Sequence, residues 1–208
     1  DFTIYKESSG SYPPPQNLTA ESGDESVSLS WDDMNISGTN DYIYDNDQIS
    51  NTIIMNSGSA WAGSEMNIAG LSTVNSISIF NDSSFGNPLG TIVTIGAFNT
   101  IGSLYNNEPA YTAEVTMNSD GWNEFPVDWS FNNNFIVAQL FDVNVTVGLD
   151  ESAIPSQHSM ILFSGGGWDY WSVAGAAIGD GEWGIRANVT TQGANVTYNV
   201  YTDNVADA

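Results

Sequence analysis

The 208-residue chain has no cysteine, a single histidine and only two basic residues, Lys6 and Arg186. The absence of cysteine excludes disulfides, thiolate nucleophiles and thiolate-ligated zinc. The absence of basic residues excludes a cationic patch for phosphate, so nucleic acid is not a partner. It also disfavours an anionic membrane surface. No apolar run approaches the roughly 20 residues that span a bilayer, so membrane insertion is not expected. An initiating Met, a basic leader and an apolar leader core are all missing, which reads as a processed start or a cut at Asp1.

What remains is acidic and polar. Against the two cations stand 25 carboxylates, giving a formal net charge of −23 although only 13% of residues are charged. Asn, Ser, Thr and Gly carry the rest of the polarity. Such a surface suits an extracellular, salt-rich or divalent-rich medium that screens self-repulsion. Seven Trp, nine Tyr and nine Phe are spread along the chain and 41% of residues are hydrophobic, enough for a sizeable core. Six N-x-S/T sequons occur, at Asn17, Asn35, Asn81, Asn144, Asn188 and Asn195. They are glycan acceptors only if the chain is secreted in a competent host.

Short β-branched or alternating runs recur between Gly, Asn, Asp and Ser clusters, and predict strands throughout. In Glu182–Val189 the residues Trp183, Ile185, Ala187 and Val189 share one face and Arg186 points to the other. In Ser26–Trp31 the residues Val27, Leu29 and Trp31 alternate with serines. Only Val173–Ile178 suggests a short helical turn. Many short strands with turns every 8–12 residues predict an all-β, antiparallel sandwich or jelly roll. Pro13–Pro15 is a stiff spacer. The end segments Phe2-Thr3-Ile4-Tyr5 and Tyr198-Asn199-Val200-Tyr201 share a pattern, as equivalent strands of successive repeat units would.

Pro14-Pro15-Gln16-Asn17-Leu18-Thr19-Ala20 followed by Ser26-Val27-Ser28-Leu29-Ser30-Trp31 resembles the first two strands of a fibronectin type III domain. Tyr198-Asn199-Val200-Tyr201-Thr202 resembles that family's third strand, with Thr in place of the common Arg. The intervening chain is similar to the jelly-roll modules of the cleaved-adhesin and MAM-like group. The segments that carry this likeness include Val74–Phe80, Gly86-Asn87-Pro88, Gly121–Phe125, Phe135–Ala138 and Glu182–Ala187. The resemblance implies four parts: an N-terminal strand segment over 1–12, the start of a fibronectin-type unit over 13–40, a jelly-roll β-sandwich over 41–191, and a returning strand over 192–208. The fibronectin-type unit is then incomplete. Another copy, or a longer parent chain, has to supply its missing strands.

The candidate sites follow from residue type. Asp41, Asp45 and Asp47, in an acidic loop, offer hard oxygen donors for calcium. The jelly-roll resemblance pairs Asp41 or Asp45 with Asp180 or Glu182. Trp168, Tyr170 and Trp171 are either a sugar-stacking platform or core. The guanidinium of Arg186 is expected to find a carboxylate, in a bidentate pair where geometry allows. His158 has no accompanying nucleophile elbow or zinc motif, and no two carboxylates stand out as a glycosidase pair. The expectation is a non-catalytic extracellular structural or adhesive protein. It would polymerise with copies of itself by strand complementation through Phe2, Ile4, Tyr5, Val196, Tyr198, Val200 and Tyr201. The alternative is a carbohydrate-binding accessory module of a larger secreted enzyme, with surface glycans as partners.

Overall fold

The computed structural model describes residues 19–23, 26–30, 35–68, 70–101, 104–153, 158–174 and 181–195; of these, 19–23, 26–30, 35–37, 101 and 193–195 are described by backbone alone. The described residues form sixteen strands and one helical turn. The first eight strands are β1 (Thr19–Gly23), β2 (Ser26–Ser30), β3 (Asn35–Tyr42), β4 (Asn51–Ile53), β5 (Ser59–Met66), β6 (Leu71–Asn81), β7 (Ile92–Ile101) and β8 (Leu104–Tyr105). The others are β9 (Tyr111–Thr116), β10 (Gly121–Phe131), β11 (Phe135–Asp142), β12 (Val147–Asp150), β13 (Ser159–Phe163), β14 (Trp168–Tyr170), β15 (Glu182–Trp183) and β16 (Ile185–Asn195), with the turn α1 (Trp171–Ala174) after β14.

The fold is all-β and every described strand pairing is antiparallel. A four-stranded sheet in the order β10-β6-β16-β3 lies across the core from a seven-stranded sheet ordered β14-β13-β5-β11-β7-β8, with β9 also on β7. A small sheet, β15-β12-β4, adds to one end, and β1-β2 form a two-stranded sheet of their own. The face expected to be buried over Glu182–Val189 is buried, across β15 and β16: Trp183, Ile185, Ala187 and Val189 are all buried while Arg186 is not. They pack with Ile77 and Ile79 of β6 and with Val137 and Phe141 of β11 in one contiguous core. A buried hydrogen bond ties the two sheets, from the Ser64 hydroxyl to the Ile185 carbonyl at 3.1 Å.

Several local features differ from the expected pattern. β10 is longer than its apolar stretch suggests, because Pro126 is accommodated on the edge strand where the register shifts between Pro126 and Trp129. The polar segment Asn35–Tyr42 is a strand, paired with β16 from Asn35↔Asn195 to Tyr42↔Ala187. Edge strands need no apolar alternation, which is why this one is silent in the sequence. β3 and β16 also run straight through the positions 40/41 and 191/192 that bound the expected jelly-roll insert. The short helix starts at Trp171, ahead of the expected Val173. The segments Phe2–Lys6 and Val196–Tyr201 lie outside the described residues.

The seven-stranded sheet is apolar on both faces. On its outer face a cross-strand row of small residues, Gly63–Ala138–Gly96, forms a trough. The Trp168 ring lies over Gly63 and the Trp61 ring over Gly96, each at 3.0–3.1 Å from where a Cβ would stand. Phe98 sits edge-on to both, at 5.1 Å from Trp61 and 4.9 Å from Trp168. A methyl group at 63 would also clash with the Ile136 side chain. Gly63→Ala is therefore expected to cost about 1–3 kcal/mol by overpacking. Urea melts check this, and a loss under about 0.5 kcal/mol would mean that the rings are free to lift.

Candidate functional site

The outer face carries a polar network beside the aromatic trough. Glu65 is the one carboxylate on β5, and alternation along the strand puts it on the outer face with Trp61 and Gly63. It is buried at 7% exposure. The Tyr105 hydroxyl donates to its Oε1 at 2.5 Å and the Asn67 amide to its Oε2 at 3.2 Å. His158 Nδ1 stands 3.6 Å from Oε2, and the His158 ring stacks on Tyr44 at 4.1 Å. Asn134 extends the network by donating to the Asn67 carbonyl oxygen at 2.8 Å and by bonding the Tyr105 hydroxyl.

Burial raises the Glu65 carboxyl, but hydrogen bonds from His158 and Tyr105, the charge of His158 and the bond from Asn67 together hold it below the ordinary range. Burial pushes the Tyr105 hydroxyl far up, helped by its bond to Glu65, and burial does the same to Tyr44. The Glu65 charge, then burial, raises Tyr170. At neutral pH Glu65 is thus an acceptor and the tyrosines stay protonated. Glu65, Tyr105 and Asn67 are thereby joined in one network of hydrogen bonds.

The acidic loop does something different. Asp45 is buried and receives Arg186 in the anticipated bidentate pair, through Nε at 2.9 Å and through Nη2. The same Nη2 donates to Asp47 Oδ1 at 2.9 Å, which also accepts the Trp122 indole N–H at 2.8 Å. The guanidinium lies 3.7 Å above the Trp122 ring, a cation–π contact. Asp47 takes up a left-handed backbone (φ 67°), which Asp tolerates, to present its carboxylate here. Its hydrogen bond to Trp122 and then those to Arg186 hold the Asp47 carboxyl low.

Of the five expected calcium ligands, the four described ones, Asp41, Asp45, Asp47 and Glu182, are not gathered on one point. Asp45 and Asp47 meet, but around Arg186. Asp41 accepts from the Asn188 amide at 2.7 Å. Glu182 is buried and accepts from the Ser159 hydroxyl at 2.6 Å, while Asp180 lies outside the described residues. Among the described residues no group of three or more His, Asp or Glu side chains is placed to hold a metal ion. The described donors therefore form no calcium cage, and the one pair that meets, Asp45 and Asp47, is neutralised by a guanidinium.

The expected aromatic platform is divided between the two faces of the sheet. Trp168 is half-buried in the trough with its indole N–H donating to the Asn106 carbonyl at 3.0 Å. Trp171 is buried in the main core against Trp183, at 4.5 Å. Tyr170 alone of the three is well exposed, at 39%. Of the sequons, Asn81 is buried with its amide bonded to the backbone of Asn87 at both ends, which leaves no room for a glycan. Asn188 is half-buried and Asn144 is exposed. The side chains of Asn17, Asn35 and Asn195 lie outside the described residues. Glu65 and Tyr105 were missed in the sequence, although a lone acid inside the apolar run Ala60–Ile68 is a usable signal.

No protein-family model and no curated protein matches the chain. Two solved structures share its fold. One is the clostridial cysteine protease Cwp84 after propeptide cleavage, with a TM-score of 0.57 and 13% identity, over 79% of this chain and 42% of that one. The other contains the cysteine protease and lectin-like domains of Cwp84, a surface layer associated protein of Clostridium difficile, with a TM-score of 0.56 and 12% identity, over 79% and 38%. The chain spans about two-fifths of the length of these proteins. At such identity the likeness is one of fold alone. Among the described residues no helix is long and apolar enough to cross a membrane.

Proposed function

We propose that the chain is a non-catalytic extracellular surface protein, structural or adhesive, whose copies join by strand complementation at the β1–β2 end. The observation that carries this reading is that β1 and β2 pair with each other from Thr19↔Ser30 to Gly23↔Ser26 and with no further strand among the described residues. An isolated two-stranded ribbon is marginal in water; three or more strands, or a packed face, are needed for stability. The fibronectin-type resemblance of the same segment asks for those strands. The terminal segments, from Phe2 to Tyr5 and from Val196 to Tyr201, are the ones proposed to provide them in a neighbouring copy. Open head-to-tail contacts of this kind build filaments.

Three further points support the reading. The fold is similar to that of a surface layer associated protein. The acidic, amide-rich surface suits an extracellular medium. The Glu65 carboxyl is held low and the hydroxyls of Tyr44 and Tyr105 are held high, and this chain has no cysteine to act as nucleophile. Light scattering and negative-stain electron microscopy of the 208-residue chain check the proposal. The expected result is concentration-dependent growth into regular fibres or sheets. A stable monomer at high concentration would overturn it.

A further inference from the structure

We infer that the cleft beside the turn from β10 to β11 binds an uncharged, hydroxyl-rich saccharide. The cleft has a volume of about 260 Å³, close to the lower end of the ~300–1,000 Å³ range of small-ligand pockets. Its walls bring together four amides, Asn99, Asn132, Asn133 and Asn134, with the rings of Tyr111 and Phe131. An amide offers both donors and acceptors, as a sugar hydroxyl does, so the two are complementary without any charge. This site is separate from the strand-complementation end and does not depend on assembly.

The usual reasons for asparagine in a turn are missing here. Asn is favoured where the backbone must adopt positive φ, yet among the described non-glycine residues only Asp47 does so. Asn is also favoured where its side chain caps its own backbone. Among the described residues, no hydrogen bond is formed by the side-chain amides of Asn99, Asn132 or Asn133. Three successive asparagines are therefore not required by the turn itself. Asn134 is the exception and is braced from behind by Asn67 and Tyr105.

The aromatic wall is packed against neighbouring rings. Tyr111 stacks on Trp129 with ring centroids 5.6 Å apart and planes 7° apart, and meets Phe131 edge-on at 5.5 Å. It nevertheless remains 36% exposed. A packed, partly open ring next to amides suits the apolar face of a pyranose. Charge selects the ligand class. The only described cation, Arg186, is already held by Asp45 and Asp47, and the chain carries −23 overall. The cleft lining carries no charged side chain, so phosphate, sulfate and uronate groups would find no cation there and would face the negative field of the chain as a whole.

Isothermal titration calorimetry of the 208-residue chain tests this with cellotetraose, maltotetraose and chitotetraose, and with tetragalacturonate as the anionic control. Saturable heat is expected with at least one of the three neutral tetrasaccharides and none with tetragalacturonate. The double variant Asn132→Ala/Asn133→Ala is expected to weaken that binding at least tenfold with an unchanged melting temperature, because both positions are exposed and neither has positive φ. Asn99→Ala, on the neighbouring β7, should weaken it independently. The inference is overturned if no neutral tetrasaccharide binds, if binding survives these substitutions, or if tetragalacturonate binds as tightly.

Discussion

Arg186→Ala is expected to destabilise the folded chain by about 3 kcal/mol, the lower end of the range for leaving a buried charge without its partner, since Asp45 is buried and Arg186 only partly so. The side chain of Asp45 is fully buried, and Arg186 is its bidentate partner. Truncating the guanidinium leaves a carboxylate in a dry site with only the Asp47 backbone N–H, at 2.9 Å, still bonded to it. Burial opposes the charge of Arg186, but the hydrogen bonds and charges of Asp45, and after them those of Asp47, raise its pKa further, so the guanidinium stays ionised throughout the accessible pH range. Arg186→Lys should recover little, because an ammonium cannot reproduce the fork or the stacking over Trp122. The double variant Asp45→Asn/Arg186→Met should recover much of the loss, since it removes both charges together. Urea denaturation of the four proteins checks this. A cost below about 1 kcal/mol for Arg186→Ala would mean that Asp45 reaches water and that the pair behaves as a surface contact.

The second large effect is expected at Asp150. Its carboxylate is completely buried, yet it is ringed by donors. The backbone N–H groups of Asn46 (2.9 Å), Ser152 (3.0 Å) and Ala153 (3.1 Å) point at it, and the Ser152 hydroxyl donates at 2.8 Å. The Asn46 bond ties the acidic loop to the end of β12 across 104 residues of sequence, while those of Ser152 and Ala153 close the turn that follows β12. Removing a charged acceptor from several buried donors costs about 3 kcal/mol, taking 1.5–3 kcal/mol for each charge-assisted bond and strong non-additivity. Asp150→Ala should show that loss, and Asp150→Asn most of it, since the amide brings a donor where donors already point.

The same site sets an acid limit. Burial raises the Asp150 carboxyl, but the N–H of Asn46, the hydroxyl of Ser152 and the N–H groups of Gln48 and Ser152 outweigh it and hold the group low. Glu65 is low for a parallel reason. A carboxyl whose folded pKa is depressed contributes stability that is present above its unfolded value, about 4, and is lost as pH falls through the folded value. Stability of the wild-type chain should therefore fall steeply below about pH 4. The curve for Asp150→Asn should be shallower there, because one titrating group is gone. Identical acid slopes in the two proteins would remove Asp150 as a contributor.

Much of the architecture was legible in the chain itself. The alternation of Trp183, Ile185, Ala187 and Val189 over β15 and β16 predicted which face is buried, because a strand's side-chain period is a local property. Composition likewise told that Arg186 would pair with a carboxylate, since 25 acids surround two cations. The identity of the carboxylate was not legible. Arg186 and Asp45 are 141 residues apart, and only the β3–β16 pairing brings their ends of the chain together. The division of Trp168 from Trp171 was half legible. Alternation placed them on opposite sides of a strand, but both sides of this sheet carry apolar cover, and that depends on neighbours.

Sequence by itself determined the all-β class, the absence of thiol chemistry and of cationic patches, and the inward face of β16. Each follows from composition or from contacts within a few residues. Tertiary structure decided that the acidic loop grips a guanidinium, that small residues from three strands line up as Gly63–Ala138–Gly96 beneath two indoles, and that Asn99 joins Asn132–Asn134 around one cleft. These arrangements depend on strand order and register. Both arise from the packing of distant segments, which no local pattern encodes.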